Sequence, residues 1–212
     1  TRLPKYSPPY LPEDNPVGVY RREIEIPEEW SEREIFLCID GAKSGVYVYI
    51  NGKEVGYSED SKTSAEFRIN NYVKPGKNSL VLKIFRWSTG SYLECQDFWR
   101  ISGIERDLFL WSQPKTSLRD FRVKSILDDS YSNGIFELET TISNYNPGVS
   151  HAEVSYELLD GAGKTVASGS KPVSIQGNGE NAIKFDAELP NVATWTSEQP
   201  NLYKLLITVQ KE

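Results

Sequence analysis

Methionine is missing from the 212-residue sequence, at the first position and everywhere else. The expectation is therefore a processed or cut piece of something longer. The lack of a signal-peptide pattern at the start then says nothing about compartment. No apolar run approaches the ~18 residues of a membrane span. Basic residues are scattered and the net charge is −6, the wrong sign and distribution for a phosphate backbone. Neither a membrane nor a nucleic acid is expected as partner. Histidine occurs once, as His151, at the start of a predicted strand and with no serine–aspartate pair to complete a triad; it is read as a surface or structural residue. Phosphate loops, dinucleotide fingerprints and zinc spacings are all absent. There are two cysteines. Cys38 lies in the apolar run Ile35-Phe36-Leu37-Cys38-Ile39 and reads as a small core residue. Cys95 adjoins an acidic cluster, yet one thiol and one distant histidine make no metal site. A disulfide between the two is left open by the sequence.

Aromatic residues are abundant, with 5 Trp, 12 Tyr and 8 Phe. Most are expected between sheets, and a few can serve as stacking faces for a sugar. The segment from Thr1 to Asp14 is proline-rich and without period, so it is expected to run extended over a surface. Tyr20 to Ile26 then alternates, with Tyr20, Arg22, Ile24 and Ile26 on one face, which predicts a half-buried strand. Val46 to Ile50 is β-branched and aromatic. Asn51-Gly52 follows it and leads into Lys53 to Tyr57, the pattern of a hairpin whose turn needs positive φ at both central residues. Pro75-Gly76 turns the chain into a strand over Asn78 to Phe85, and Leu108 to Trp111 closes this half. Beyond Pro114, turn signals recur at Asn133-Gly134, Asn146-Pro147-Gly148, Asp160-Gly161-Ala162-Gly163 and Gly177-Asn178-Gly179. They separate short strands, and no helical pattern intervenes. Residues 115–212, roughly a hundred, suit one sandwich of about seven strands. The expected fold is all-β in two domains, 1–114 and 115–212.

Between the strand ending at Phe85 and the one starting at Leu108 lies a segment with no strand period. It runs Arg86-Trp87-Ser88-Thr89-Gly90-Ser91-Tyr92-Leu93-Glu94-Cys95-Gln96-Asp97-Phe98-Trp99-Arg100-Ile101-Ser102-Gly103-Ile104-Glu105-Arg106-Asp107. A long loop on a rigid β scaffold is a common place for function. Composition leaves two readings open. One is a binding loop; the other is a loop pinned by ion pairs of Asp97 or Glu94 with Arg100 or Arg106. Glu94 and Asp97 can reach the ~5–5.5 Å or ~6.5–9.5 Å separations of glycosidase carboxylate pairs, but two acids three residues apart are not specific to that role.

The same loop closely resembles the signature of the sugar-binding domain of glycoside hydrolase family 2 β-galactosidases. Asn15-Pro16-Val17-Gly18-Val19-Tyr20 is similar to their N-P-x-G-x-Y motif. Asp40-Gly41, Asn51-Gly52-Lys53-Glu54-Val55-Gly56-Tyr57 and Asp60-Ser61 match in order and spacing. Trp195-Thr196-Ser197-Glu198-Gln199-Pro200-Asn201-Leu202-Tyr203 resembles the segment that closes their second domain. Family 2 glucuronidases and mannosidases share the architecture, with loop text less like this one.

The resemblance implies a jelly-roll, galactose-binding-like β-sandwich followed by an immunoglobulin-like β-sandwich. It implies a bacterial parent enzyme, cytoplasmic or periplasmic, that hydrolyses terminal β-D-galactosides and forms homo-oligomers. In the family both catalytic glutamates lie on a (β/α)₈ barrel, which needs ~250 residues. Residues 1–212 are thus expected to hold no catalytic residue and no activity alone. The barrel is the implied partner, and a β-galactoside the implied substrate. Asn15 and Asp97 are implied to contact the galactosyl group. Asp97 also helps to hold sodium, whose other ligands come from the barrel. Glu94, Gln96, Trp99 and Arg100 are read as support for Asp97. Sodium and magnesium are implied for the parent, and no cofactor for this piece alone. Cys95 departs from the acidic residue often found at its position. The alternative is a free-standing carbohydrate-binding module without hydrolase activity.

Overall fold

The computed structural model describes residues 7–94, 99 and 101–211. The chain divides into two compact units, Thr1–Pro114 and Lys115–Glu212. In the first, the strands are β1 (Val17–Ile26), β2 (Glu34–Ile39), β3 (Ala42–Lys43), β4 (Gly45–Ile50), β5 (Lys53–Ser58), β6 (Ala65–Arg68), β7 (Gly76–Phe85), β8 (Gly103–Ile104) and β9 (Leu108–Gln113). A single turn of helix, α1 (Gly90–Leu93), sits in the long loop. The order β1-β7-β4-β5 makes one antiparallel sheet and β6-β2-β9 another, with β3 and β8 as a small ribbon.

Alternation decides what these sheets bury. Val46, Val48 and Ile50 of β4 meet Leu80, Leu82 and Ile84 of β7 on one layer. Ile35, Leu37 and Ile39 of β2 complete the core, with Phe67, Leu108 and Leu110 packed against it. This is a β-sandwich, held by the burial of one face of each sheet. Asn51 and Gly52 take φ values of 51° and 81°, so the β4–β5 turn has the two positive-φ residues that its sequence demands. β1 is covered less than its alternation suggests. Tyr20 is 43% exposed, and only the end of the strand, at Ile24 and Ile26, reaches the core. The reason is position: β1 is an edge strand.

The second unit contains β10 (Thr116–Leu127), β11 (Gly134–Asn144), β12 (Ser150–Leu159), β13 (Thr165–Ile175), β14 (Gly179–Leu189) and β15 (Lys204–Lys211). Each glycine-rich signal beyond Pro114 falls in the connection between consecutive strands. The sheets are β10-β11-β14 and β13-β12-β15. Leu138 and Ile142 of one sheet and Val154, Tyr156 and Ile175 of the other enclose the core. The described residues supply six strands here, one fewer than the spacing of turn signals predicts. The whole fold is all-β, two sandwiches in succession.

Leu37 is fully buried on β2, so Leu37→Ala removes packed methyl groups and leaves a cavity. The expected loss is about 3 kcal/mol of unfolding free energy, read from the urea midpoint at constant slope. A loss under about 1 kcal/mol contradicts this placement of the core.

Candidate functional site

The amino-terminal segment and the long loop meet where β7 ends. Arg86 donates its N–H to the Pro16 carbonyl at 3.0 Å. The Asn15 side chain then behaves as a peptide group paired with Trp87: Nδ2 donates to the Trp87 carbonyl at 3.0 Å, and Oδ1 accepts the Trp87 N–H at 2.9 Å. Farther along, the Tyr92 hydroxyl donates to the Tyr10 carbonyl. The proline-rich segment, expected to run extended over a surface, is therefore tied to the loop at Tyr10, and the residues that follow it, Asn15 and Pro16, are tied to the loop's start. Asn15 is half-buried and keeps one amide N–H and one carbonyl lone pair free of Trp87. It can hold the loop and still face a sugar hydroxyl.

The outgoing limb of the loop is α1, clamped at both ends by the turn that follows β5. At its start, both oxygens of Glu59 accept from the Thr89 hydroxyl at 2.8 Å, and Oε2 accepts the Gly90 N–H at 3.2 Å. Gly90 is required there, since a Cβ would stand 2.6 Å from the Glu59 carbonyl oxygen. At its end, Glu94 Oε1 accepts the N–H of the fully buried Ser61 at 2.7 Å. The turn is itself braced by Asp60, which accepts the N–H groups of Lys62 at 3.1 Å and Thr63 at 3.2 Å. Glu94 Oε2 and the hydroxyls of Ser61 and Ser88 are buried without a partner among the described residues.

The returning limb is fixed separately. Glu105 donates its N–H to the Gly41 carbonyl at 3.0 Å, and the Asp107 carbonyl accepts from Asp40 N–H at 3.0 Å. Lys62 pairs with Glu105, and Arg106 Nη1 reaches the Lys62 carbonyl at 2.9 Å. Glu94 and Arg106 thus find backbone partners, and the ion pairs that composition allowed between them are not what these contacts show. Leu93, Trp99 and Ile101 stand 89%, 77% and 61% exposed, an apolar rim on the loop. Asp97, Gln96 and Arg100 lie outside the described residues, as does Cys95. Among the sites expected from sequence, the structure brings Asn15 against the start of the loop and Glu94 against its base. Glu59, Thr89 and Ser61 were not expected. Glu59 sits in a polar run without period, and most of its partners are backbone groups and hydroxyls that no spacing rule announces.

Electrostatics support the clamp. Burial pushes the Glu59 carboxyl up, but the bonds donated by Thr89, Gly90 and the Tyr57 hydroxyl outweigh it and hold the group below the ordinary carboxylate range. Tyr57 is pushed up to about 12, by burial first and then by the Glu59 charge beside it. Burial also raises the Cys38 thiol, helped by Asp40, whose carboxylate lies 3.5 Å from the sulfur. No group of three or more His, Cys, Asp or Glu that could hold a metal occurs among the described residues. In the second unit an apolar cavity of about 330 Å³ is lined by Ile126, Phe136, Leu189, Trp195 and Tyr203. Its polar neighbours are occupied in closing their own loop. Asn201 donates to the Thr194 carbonyl at 2.8 Å, and the Tyr203 hydroxyl accepts the Ala193 N–H at 3.0 Å. Such a lining lacks the convergent polar groups that fix a sugar.

A carboxylate whose folded pKa is lowered contributes fully above its unfolded value and is lost as pH falls through the folded one. The melting-temperature gap between wild type and Glu59→Gln should therefore be open at pH 7 and close as pH drops below the ordinary value of 4.5. A gap of constant size between pH 7 and pH 3 contradicts the clamp.

The comparisons with known proteins agree with this layout. Residues 4–114 match the sugar binding domain of glycosyl hydrolases family 2, and residues 116–212 match a second domain described as glycosyl hydrolases family 2. A β-galactosidase of Priestia megaterium is 36% identical over 207 residues, covering 96% of this chain and 20% of that protein. A β-galactosidase of Halalkalibacterium halodurans is 39% identical over 207 residues, covering 97% of this chain and 20% of its own length. The chain thus spans about a fifth of these relatives. In fold, a β-glucuronidase from Bacteroides uniformis superposes with a TM-score of 0.85 at 22% identity, over 91% of this chain and 24% of that one. A putative β-galactosidase from Bacteroides fragilis does so with 0.84 at 18% identity, over 92% and 30%. The chain belongs to glycosyl hydrolase family 2, of which it carries the sugar-binding domain and the domain that follows it.

Proposed function

We propose that these residues form the sugar-binding front of a β-galactosidase whose catalytic carboxylates lie elsewhere in the protein. The observation that carries this is the joining of the Asn15 motif to the loop of Asp97: the side chain read as a sugar contact also fixes the start of that loop. Similarity to β-galactosidases over nearly the whole chain supports the choice of galactoside over other sugars. Asn15 offers one further donor and one further acceptor to a sugar hydroxyl. Asp97 offers a carboxylate that accepts from two hydroxyls at once, and such charge-assisted bonds are the stronger kind. Contacts of this sort raise turnover where they tighten as the sugar distorts toward the transition state. The clamped limbs fix where the loop leaves and re-enters the sandwich, which lowers the ordering cost on binding.

In this reading Asp97 would help to hold sodium together with ligands from elsewhere in the protein, and the ion would supply positive charge beside the sugar hydroxyls. Magnesium has no assigned ligand among the described residues. Assembly into a homo-oligomer belongs to the same reading.

In the whole protein, Asp97→Ala should lower kcat/KM for an aryl β-galactoside by about a hundredfold or more, the scale of losing one preorganised polar contact in an active site. Activity within a few-fold of wild type, with the variant folded, contradicts the role given to Asp97.

A further inference from the structure

The first sheet has an outer face that its core does not use. Val46, Val48 and Ile50 of β4 and Leu80, Leu82 and Ile84 of β7 are buried, so the alternate residues Tyr47, Tyr49 and Phe85 point outward. Tyr57 of β5 lies opposite Tyr47, and Val17 of β1 lies opposite Phe85, both on that outer side. The rings touch one another. Tyr47 and Tyr57 have centroids 4.5 Å apart, and Phe85 meets Tyr47 edge-on at 5.8 Å. Gly45 lets Tyr57 lie down across the sheet, since a Cβ there would stand 2.7 Å from the Tyr57 hydroxyl. Trp87 follows Phe85 by the strand period of two, and its backbone is held by the Asn15 amide. Tyr47, Phe85 and Trp87 are half-buried, while Tyr57 and Val19 are 42% and 63% exposed. A row of aromatic rings thus leads from the residue read as a sugar contact out over the sheet.

We propose that this aromatic row is a carbohydrate-binding track, which takes the further sugars of a galactoside chain whose terminal galactosyl group lies at Asn15. The chemistry of the face selects that occupant. A pyranose has an apolar C–H face, which stacks on a ring, and an edge of hydroxyls, which needs donors and acceptors. Here rings make the floor and charged groups make the rim. Lys83 stands over the Tyr49 ring at 5.0 Å and Arg86 over Trp87 at 5.5 Å. Glu54 lies beside the Tyr49 hydroxyl, and Glu59 accepts from the Tyr57 hydroxyl at 3.2 Å. An apolar protein surface laid on the row would strip water from these charges and return nothing for it. A sugar replaces that water with its own hydroxyls. From Trp87 to Tyr57 the row crosses from β7 over β4 to β5, roughly 15 Å at ordinary strand spacing and rise. That length suits several sugars in line rather than one. The proposal rests on the functional reading for the identity of the terminal sugar.

Steady-state kinetics of the whole protein on β-1,4-galactobiose and β-1,4-galactotetraose test it. In the wild type, KM for the tetraose should lie at least fivefold below KM for the biose. Tyr47→Leu fills the same space without an aromatic face and should close that gap. Tyr47→Phe keeps the ring and should keep the gap. Equal KM values for the two sugars in the wild type overturn the proposal, and that comparison stands whether or not a variant folds. A gap that survives Tyr47→Leu overturns it too, because the preference then arises elsewhere in the protein. Cleavage of an aryl β-galactoside without any preference for the tetraose overturns the track alone. Failure to cleave either sugar or the aryl β-galactoside overturns the functional reading, and the track with it.

Discussion

Two carboxylates, Glu59 in the turn after β5 and Glu94 at the end of α1, determine where the long loop leaves the first sandwich. Glu59 holds the beginning of the short helix and Glu94 is held at its end, both through the turn after β5. A four-residue helix has too few internal bonds to persist alone. Here it persists because the Gly90 N–H and the Thr89 hydroxyl find the Glu59 carboxylate, and Glu94, just past its end, finds the buried N–H of Ser61. The anion also suits the positive end of the helix, although one turn carries little dipole. Asn15 adds a third point by pairing with Trp87 as a backbone would. Three local satisfactions of polar groups thereby position the loop.

The core supplies the rigid frame beneath them. β7 is bonded on both sides in the middle of its sheet, and its last residue is where the loop begins. The loop therefore leaves from a central strand rather than a frayed edge. The returning limb re-enters through backbone bonds at Gly41 and Asp40, close in sequence to β2 and β3. Both stems are fixed to one sandwich, and the exposed Leu93, Trp99 and Ile101 face outward from it. Exposed apolar residues on a scaffold this well anchored suit a surface that another protein segment covers.

Most of the strands were legible in the sequence because their signals are local. Asn51-Gly52 turned where positive φ at two successive residues required it, and the glycine-rich runs after Pro114 each mark a connection. The loop was legible as a site by its text. Its means of support was not. Glu59 and Asp60 sit in a polar stretch without period, and their partners are backbone N–H groups and hydroxyls distant in sequence. Composition left an ion pair of Glu94 with an arginine open; among the described residues its carboxylate accepts the N–H of Ser61, which would be costly to bury without an acceptor. The alternation in β1 promised a half-buried strand, but burial depends on having a neighbour on each side, which an edge strand lacks. The same dependence on neighbours leaves Phe121 and Val123 of β10 exposed, although they stand opposite the buried Thr140 and Leu138.

The central claim is that Asn15 both fixes the loop and faces the sugar. A crystal structure of the whole protein with galactose bound tests it most directly. The account predicts the Asn15 amide and an Asp97 carboxylate oxygen each within about 2.7–3.2 Å of a galactosyl hydroxyl, with the Asn15–Trp87 pairing intact. A galactose bound away from both residues, or an Asn15 that must release Trp87 to reach it, contradicts the account.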